Sequence, residues 1–90
     1  MDLSNGSEQS GEAKVHTGGA GGGPHGWHRI EPGGHLHLDL PPNTLWEVEC
    51  RVAGTQLGST IQARSDDEIH LVLTGARLRP HRVSKEPIQA

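Results

Sequence analysis

The chain has little with which to build a hydrophobic core. Its 90 residues include no phenylalanine and no tyrosine, and Trp27 and Trp46 are the only aromatic residues. Aromatic side chains usually make the largest single contributions to burial, so leucine, isoleucine and valine must supply most of the core. A domain of about 60 residues buries only about 60% of its unfolded surface. A core this thin predicts support from a metal ion or self-association, and the alternative is a fold that is just adequate alone.

Several protein classes are excluded by what is missing. Cys50 is the only cysteine, so the chain has no internal disulfide, and this fits a reducing compartment. No basic start is followed by an apolar run, so no secretion signal is expected. No stretch approaches the roughly 20 apolar residues that span a bilayer. These absences predict a cytoplasmic or virion location without membrane contact.

No residue pattern typical of catalysis is present. Cys50 alternates with apolar residues, and a thiol buried among them has a raised pKa and is inert. No serine lies in a Gly-x-Ser-x-Gly elbow, and no strand leads into a phosphate-binding glycine loop. The acidic run 66–68 lies in a predicted turn, where we expect its carboxylates to be solvated. The sequence therefore predicts a non-enzymatic protein without a cofactor.

Glycine is concentrated near the N-terminal end. Eight of the 13 glycines fall within the first 26 residues, where the only sizeable apolar side chains are Met1, Leu3 and Val15. Such a segment buries too little apolar surface to offset the entropy of ordering it. The sequence thus divides into three predicted parts, namely a flexible glycine-rich arm (1–26), a small all-β domain (27–84) and a loose C-terminal tail (85–90).

After the arm, apolar and polar residues alternate in short runs. The segments 35–40 and 45–52 alternate strictly, with apolar side chains on one face and mostly charged or histidine side chains on the other. A period of two indicates half-buried strands. Further strands are predicted at 27–30, 61–64, 69–74 and 76–83. The last should lie at a sheet edge, because Pro80 has no N–H to donate.

Turn residues separate these strands about every 8–12 residues, which is typical of an all-β barrel or sandwich. We predict a small five- to six-stranded barrel or a minimal sandwich, and both architectures stay open. The run Leu71–Leu73 is apolar on both faces, which predicts that both sides of its strand are covered.

One segment resembles a motif of the cupin family. Gly26, Pro32, Gly34 and His37 are spaced as in the second cupin motif, G-x5-P-x-G-x2-H-x3-N. The resemblance implies a turn of a β-barrel or jelly roll. Pro41 replaces the final asparagine, and the first cupin motif is missing upstream. The resemblance therefore does not extend to the cupin metal site.

Histidines provide the strongest indication of a metal site. The chain has seven, and His35 and His37 project from the same face of one predicted strand. Asp39 continues that face, and His70 or His28 is expected to approach from a neighbouring strand. Zinc is bound by four such ligands in a tetrahedron. His35, His37 and His70 are therefore candidate metal ligands, and the alternative is a solvated polar face.

Basic residues concentrate near the C-terminal end, where Arg77, Arg79 and His81 would line one face of a strand. Such a face suits phosphates or an acidic patch on a protein. The segment lacks the aromatic residues on which single-stranded nucleic acids stack. The net charge of −3 also does not favour a general polyanion binder.

These features together predict a structural or interaction protein that self-associates, or that docks on a larger assembly with its N-terminal arm. A thin core, a doubly apolar strand and a long polar arm are typical of capsid-decorating and minor structural proteins of virions, a likeness of architecture alone. The alternative is a binding module, for metal through the histidine face or for nucleic acid through the basic edge strand. The predicted partner-binding residues are Trp27, Val72, Arg77, Arg79 and Arg82.

Overall fold

The computed structural model describes residues 1–17 and 26–83, which form two four-stranded β-sheets. The strands are β1 (Asp2–Asn5), β2 (Gly11–Thr17), β3 (His28–Ile30), β4 (His35–His37), β5 (Leu45–Val52), β6 (Gly58–Arg64), β7 (Glu68–Thr74) and β8 (Arg77–Val83). Sheet A has the order β4-β1-β7-β8, and sheet B has the order β3-β2-β5-β6. The glycine-rich middle of the predicted arm (18–25) and the predicted tail (85–90) lie outside the described residues.

The predicted all-β class is confirmed. Over the described ranges the chain forms no helix, and neither sheet closes on itself. Strands pair antiparallel within both sheets, except that β1 and β7 run parallel. β5 coincides with the predicted segment 45–52, and β8 lies at an edge of sheet A, as Pro80 predicted. The predicted count of five or six strands is wrong, because β1 and β2 lie in the segment assigned to the arm.

The predicted flexible arm is wrong for residues 1–17. β1 lies between β4 and β7 in sheet A, and β2 lies between β3 and β5 in sheet B. Leu3, Ala13 and Val15 are at most 1% exposed. Ala13 and Val15 are two residues apart in β2 and therefore share its inward face, and Leu3 faces the core from β1. The neighbouring strands on both sides supply the backbone hydrogen-bond partners that an isolated arm would lack.

The core lies between the two sheets. Trp46, Val48 and Cys50 of β5 face it, and Ile69 and Leu71 of β7 approach from the other sheet, all at most 4% exposed. The alternating pattern of β5 therefore predicted its buried face correctly. A slip of one residue would turn the charged face of β5 into the core, which fixes the register.

A buried asparagine ties the two sheets together near one end. The Asn5 side chain donates hydrogen bonds to the carbonyl oxygens of Gln9 and Ile30, both at 2.8 Å. Its own oxygen accepts the Ser7 backbone N–H at 2.9 Å. Because Ile30 ends β3 in sheet B, this amide links β1 to the opposite sheet. It also holds the loop that leads from β1 into β2.

Asp67 precedes β7 and is only 3% exposed. Its carboxylate accepts the backbone N–H of Arg64 at 2.7 Å and forms an ion pair with the guanidinium of Arg82. The expectation of a solvated acidic run at 66–68 is therefore wrong for this residue. A buried carboxylate is tolerated here because its charge is paired and hydrogen-bonded.

Candidate functional site

The outer face of sheet A, which points away from the core, carries most of the residues that the sequence analysis selected. The strand register arranges its side chains in four rows, namely His37–Asp2–Glu68–Val83, His35–Ser4–His70–His81, Val72–Arg79 and Thr74–Arg77. We call this surface the outer A face. Six predicted site residues lie on it, namely His35, His37, His70, Val72, Arg77 and Arg79.

Two predicted partner-binding residues lie elsewhere. The Trp27 ring lies beside β3 of sheet B, where the guanidinium carbon of Arg51 is 3.8 Å from the ring centre. This is a cation–π contact within the chain. Arg82 pairs with Ile69 in the register and therefore points to the inner side of sheet A, where its guanidinium binds Asp67. Its side chain is only 17% exposed.

One end of the outer A face is acidic. Asp2 and Asp39 flank His37, with His37 Nδ1 at 2.6 Å from an Asp2 carboxylate oxygen and His37 Nε2 at 2.9 Å from an Asp39 oxygen. Both ring nitrogens act as donors only in the imidazolium form. The hydrogen bonds to Asp2 and then Asp39 therefore raise the pKa of His37. The hydrogen bond from His37 correspondingly lowers the pKa of Asp2.

The three candidate metal ligands border one shallow depression. Its volume is about 450 Å³, and its walls include Ser4, His35, His37, Glu68 and His70. His35 and His70 are separated by the width of β1, since both pair with Ser4. Within the described ranges, no three histidine, cysteine or carboxylate side chains lie close enough together to hold one metal ion. Metal binding by His35, His37 and His70 therefore stays a prediction.

The opposite outer surface, on sheet B, contains ion pairs within the chain. Arg51 Nε lies 2.9 Å from the Glu12 carboxylate, and His16 Nε2 lies 2.8 Å from that of Glu49. On the outer A face, by contrast, the described residues provide no ion pair or hydrogen bond for the Arg79 guanidinium. The outer A face does contain other ion pairs, between His37 and its two aspartates and between His70 and Glu68, so Arg79 differs from these neighbours on its own face.

The outer A face also exposes apolar surface. Val72 is 40% exposed and Val83 is 42% exposed. The prediction that both faces of the Leu71–Leu73 run are covered is therefore wrong for the chain alone, because Val72 faces outward. Cys50, in contrast, is buried, and burial raises the pKa of its thiol to about 11. The buried position of Cys50 is the one that the alternating pattern predicted.

Sequence reasoning missed three members of the outer A face, namely Asp2, Ser4 and Glu68. The first two lie in the segment that was assigned to the arm. Outward-facing polar residues alternate with the apolar Leu3 at a spacing of two, and this alternation was the available signal. Glu68 was placed in a turn, although it begins β7.

Comparison with protein-family models, curated proteins and solved structures finds no match to this chain. Over the described ranges, no helix has the length and apolar character needed to cross a membrane. The arguments about function therefore rest on the outer A face.

The His37 cluster predicts a specific pH dependence. We expect the NMR titration midpoint of His37 to lie above its ordinary pKa of 6.5. Replacing Asp2 with asparagine should lower that midpoint, because the stronger of the two hydrogen bonds to the imidazolium is lost. An Asp66→Asn control, which removes an exposed carboxylate outside the cluster, should leave it unchanged. A wild-type midpoint at or below 6.5 would contradict the geometry.

The sign of the linked stability follows from the two shifts. Because the folded pKa of His37 is raised, its contribution is fully present below pH 6.5 and disappears as the pH rises through the folded pKa. Because the folded pKa of Asp2 is lowered from 3.8, its contribution is present above that value and disappears as the pH falls through the folded pKa. The pair therefore stabilises the fold most between these two limits.

Proposed function

We propose that this chain is a non-enzymatic structural or interaction protein, a small β-module that self-associates or docks on a larger assembly. The observation that carries the proposal is the separation of acidic and basic residues across the outer A face, together with its exposed valines. Asp2, Glu68 and Asp39 lie at one end of this face, and Arg77 and Arg79 lie at the other. The outer A face combines exposed valines with an arginine that has no ion-pair partner among the described residues. Exposed apolar residues with unsatisfied charges are typical of a surface that binds another protein.

The proposal differs from the sequence-based one in how the module binds. The sequence analysis assigned docking to the N-terminal arm, but residues 1–17 form strands within the two sheets. We therefore assign docking to the outer A face. The finer architecture that we propose is a minimal two-sheet sandwich of jelly-roll-like form. A role as a virion-decorating or minor structural protein, in the virion or the cytoplasm, is part of the same proposal.

Sedimentation velocity over about 5 to 500 µM protein tests the self-association form of this proposal, since this range brackets micromolar dissociation constants. We expect the weight-average sedimentation coefficient to rise with concentration. A coefficient that stays at the monomer value over the whole range would contradict self-association. Docking on another assembly would then be the only form of the proposal left.

A second candidate function is divalent metal binding at the outer A face. The shared depression bordered by His35, His37 and His70 supports it. Zinc titration followed by histidine NMR resonances tests this candidate, with a His35→Gln variant as the comparison. Histidine resonances that do not move at micromolar zinc would eliminate it.

A further inference from the structure

We propose that the occupant of the outer A face is a second copy of this chain, related to the first by a two-fold axis over His70. This inference rests on the proposed function and names its partner. It is carried by the diagonal arrangement of charge on the face. The acidic end contains Asp2, Glu68 and Asp39 around His37, and the basic end contains Arg79 and Arg77, whose guanidinium also donates a hydrogen bond to the Gly58 carbonyl.

The two ends are too far apart to neutralise each other within one molecule. Asp2 pairs with Glu68, and Arg79 pairs with Val72, so they lie two strands and four residues apart. With strands about 4.8 Å apart and a rise of about 3.3 Å per residue, the Cα atoms of Asp2 and Arg79 are separated by about 16 Å. This exceeds the Debye length of about 8 Å at physiological ionic strength.

A two-fold axis brings the opposite charges together. His70 lies on β7 midway between Glu68 and Val72. On a flat projection of the sheet, His70 is therefore the midpoint between Asp2 and Arg79. The proposed two-fold axis passes over His70, lies in the plane of the interface and is perpendicular to the line from Asp2 to Arg79. Rotation about this axis places Arg79 of each copy over Asp2 of the other. Such an isologous contact occurs twice in the dimer.

The same rotation gives the exposed valine a place to pack. It carries Val72 of the second copy to the neighbourhood of Ser4 and His35, which border the depression of about 450 Å³. An apolar side chain that is 40% exposed in the single chain thereby covers the concave part of the face. The same two-fold arrangement therefore provides both the Asp2–Arg79 contacts and a packing position for Val72.

The size of the face sets the strength of the dimer. Four strands give a width of about 19 Å, and the outward rows span about 20 Å along the strands. Two such flat faces total about 760 Å², which is below the roughly 1,200 Å² at which standard specific interfaces begin and is typical of weak, transient contacts. The dimer should therefore be weak, and high salt should weaken it further, because its contacts are charged and near solvent.

Two charge reversals test the arrangement. Arg79→Glu places two like-charge contacts in the dimer, and so does Asp2→Lys, so each variant alone should dissociate at least about tenfold more readily than the wild type. In an equimolar mixture, a mixed dimer contains one native Asp2–Arg79 contact and one reversed Lys–Glu contact. Sedimentation velocity should therefore show association restored in the mixture. Restoration also demonstrates that both variants fold.

Matched controls carry the same charge changes away from the face. Arg64→Glu on sheet B and Glu8→Lys in the loop after β1 should associate as the wild type does, because both residues are exposed and off the outer A face. Weak single variants without restoration in the mixture would overturn the pairing of Asp2 with Arg79. Wild-type self-association that neither reversal changes would overturn this face and leave self-association standing. A wild type that stays monomeric would overturn both this inference and self-association.

Discussion

Replacing Asp67 with alanine is expected to lower the free energy of unfolding by about 3–5 kcal/mol. The carboxylate is 3% exposed and forms an ion pair with Arg82, whose side chain is only 17% exposed. The variant removes the Asp67 charge that faces this guanidinium in a largely buried position. It also removes the acceptor of the Arg64 backbone N–H. Urea unfolding followed by circular dichroism measures the loss.

The neighbouring acidic residue provides the control for this prediction. Asp66 is exposed in the same turn, and Asp66→Ala should change the stability by less than about 0.5 kcal/mol. A loss below about 1 kcal/mol for Asp67→Ala would show that the ion pair is solvated, as an exposed pair contributes no more than this. That result would mean that Asp67 lies in a solvated turn, as its sequence predicts.

Replacing Leu3 with alanine is expected to cost about 2–5 kcal/mol, the usual range for removing a fully buried leucine side chain. Leu3 is 1% exposed and pairs with Leu36 on one side and Ile69 on the other. Truncation would leave a cavity in the middle of sheet A. Thermal and urea unfolding should both report the loss. If the N-terminal residues formed a flexible arm, Leu3→Ala would cost almost no stability.

The adjacent residue separates a packing effect from a general effect at the N-terminal end. Ser4 lies on the same strand but faces outward. The free energy of unfolding of Ser4→Ala should therefore stay within about 0.5 kcal/mol of the wild-type value. If Leu3→Ala were as stable as Ser4→Ala, β1 would not be a part of the core.

Local patterns predicted the central strands well because each contains enough apolar residues to mark its buried face. In β5, Trp46, Val48 and Cys50 alternate with charged residues, so one register alone is compatible with burial. The same reasoning placed His35 and His37 on one face. Pro80 marked β8 as an edge strand because it removes a backbone donor.

The first two strands were missed because composition outweighed pattern. β1 has one leucine and β2 has one valine, and each strand is followed by glycine or polar residues. What orders them is pairing with strands from distant parts of the chain, such as the parallel pairing of β1 with β7. Strand formation depends on such neighbours more than on intrinsic preference. No local window contains that information.

The candidate site was only partly predictable for the same reason. The period of two in β8 places Arg82 on the opposite face from Arg77 and Arg79. The partner of Arg82, Asp67, lies in the connection between β6 and β7, which this period does not indicate. The strand order β4-β1-β7 brings His70 onto the face of His35. That order also places Asp2 next to His37, which no spacing in the sequence indicates.

The central claim is that the outer A face is where this protein binds its own copy. Backbone amide NMR spectra recorded on dilution from about 500 to about 5 µM test it directly, since the range brackets a micromolar dissociation constant. The account predicts concentration-dependent shifts confined to β1, β4, β7 and β8, largest near Asp2, His70 and Arg79. Shifts confined to sheet B, or spectra independent of concentration, would contradict it.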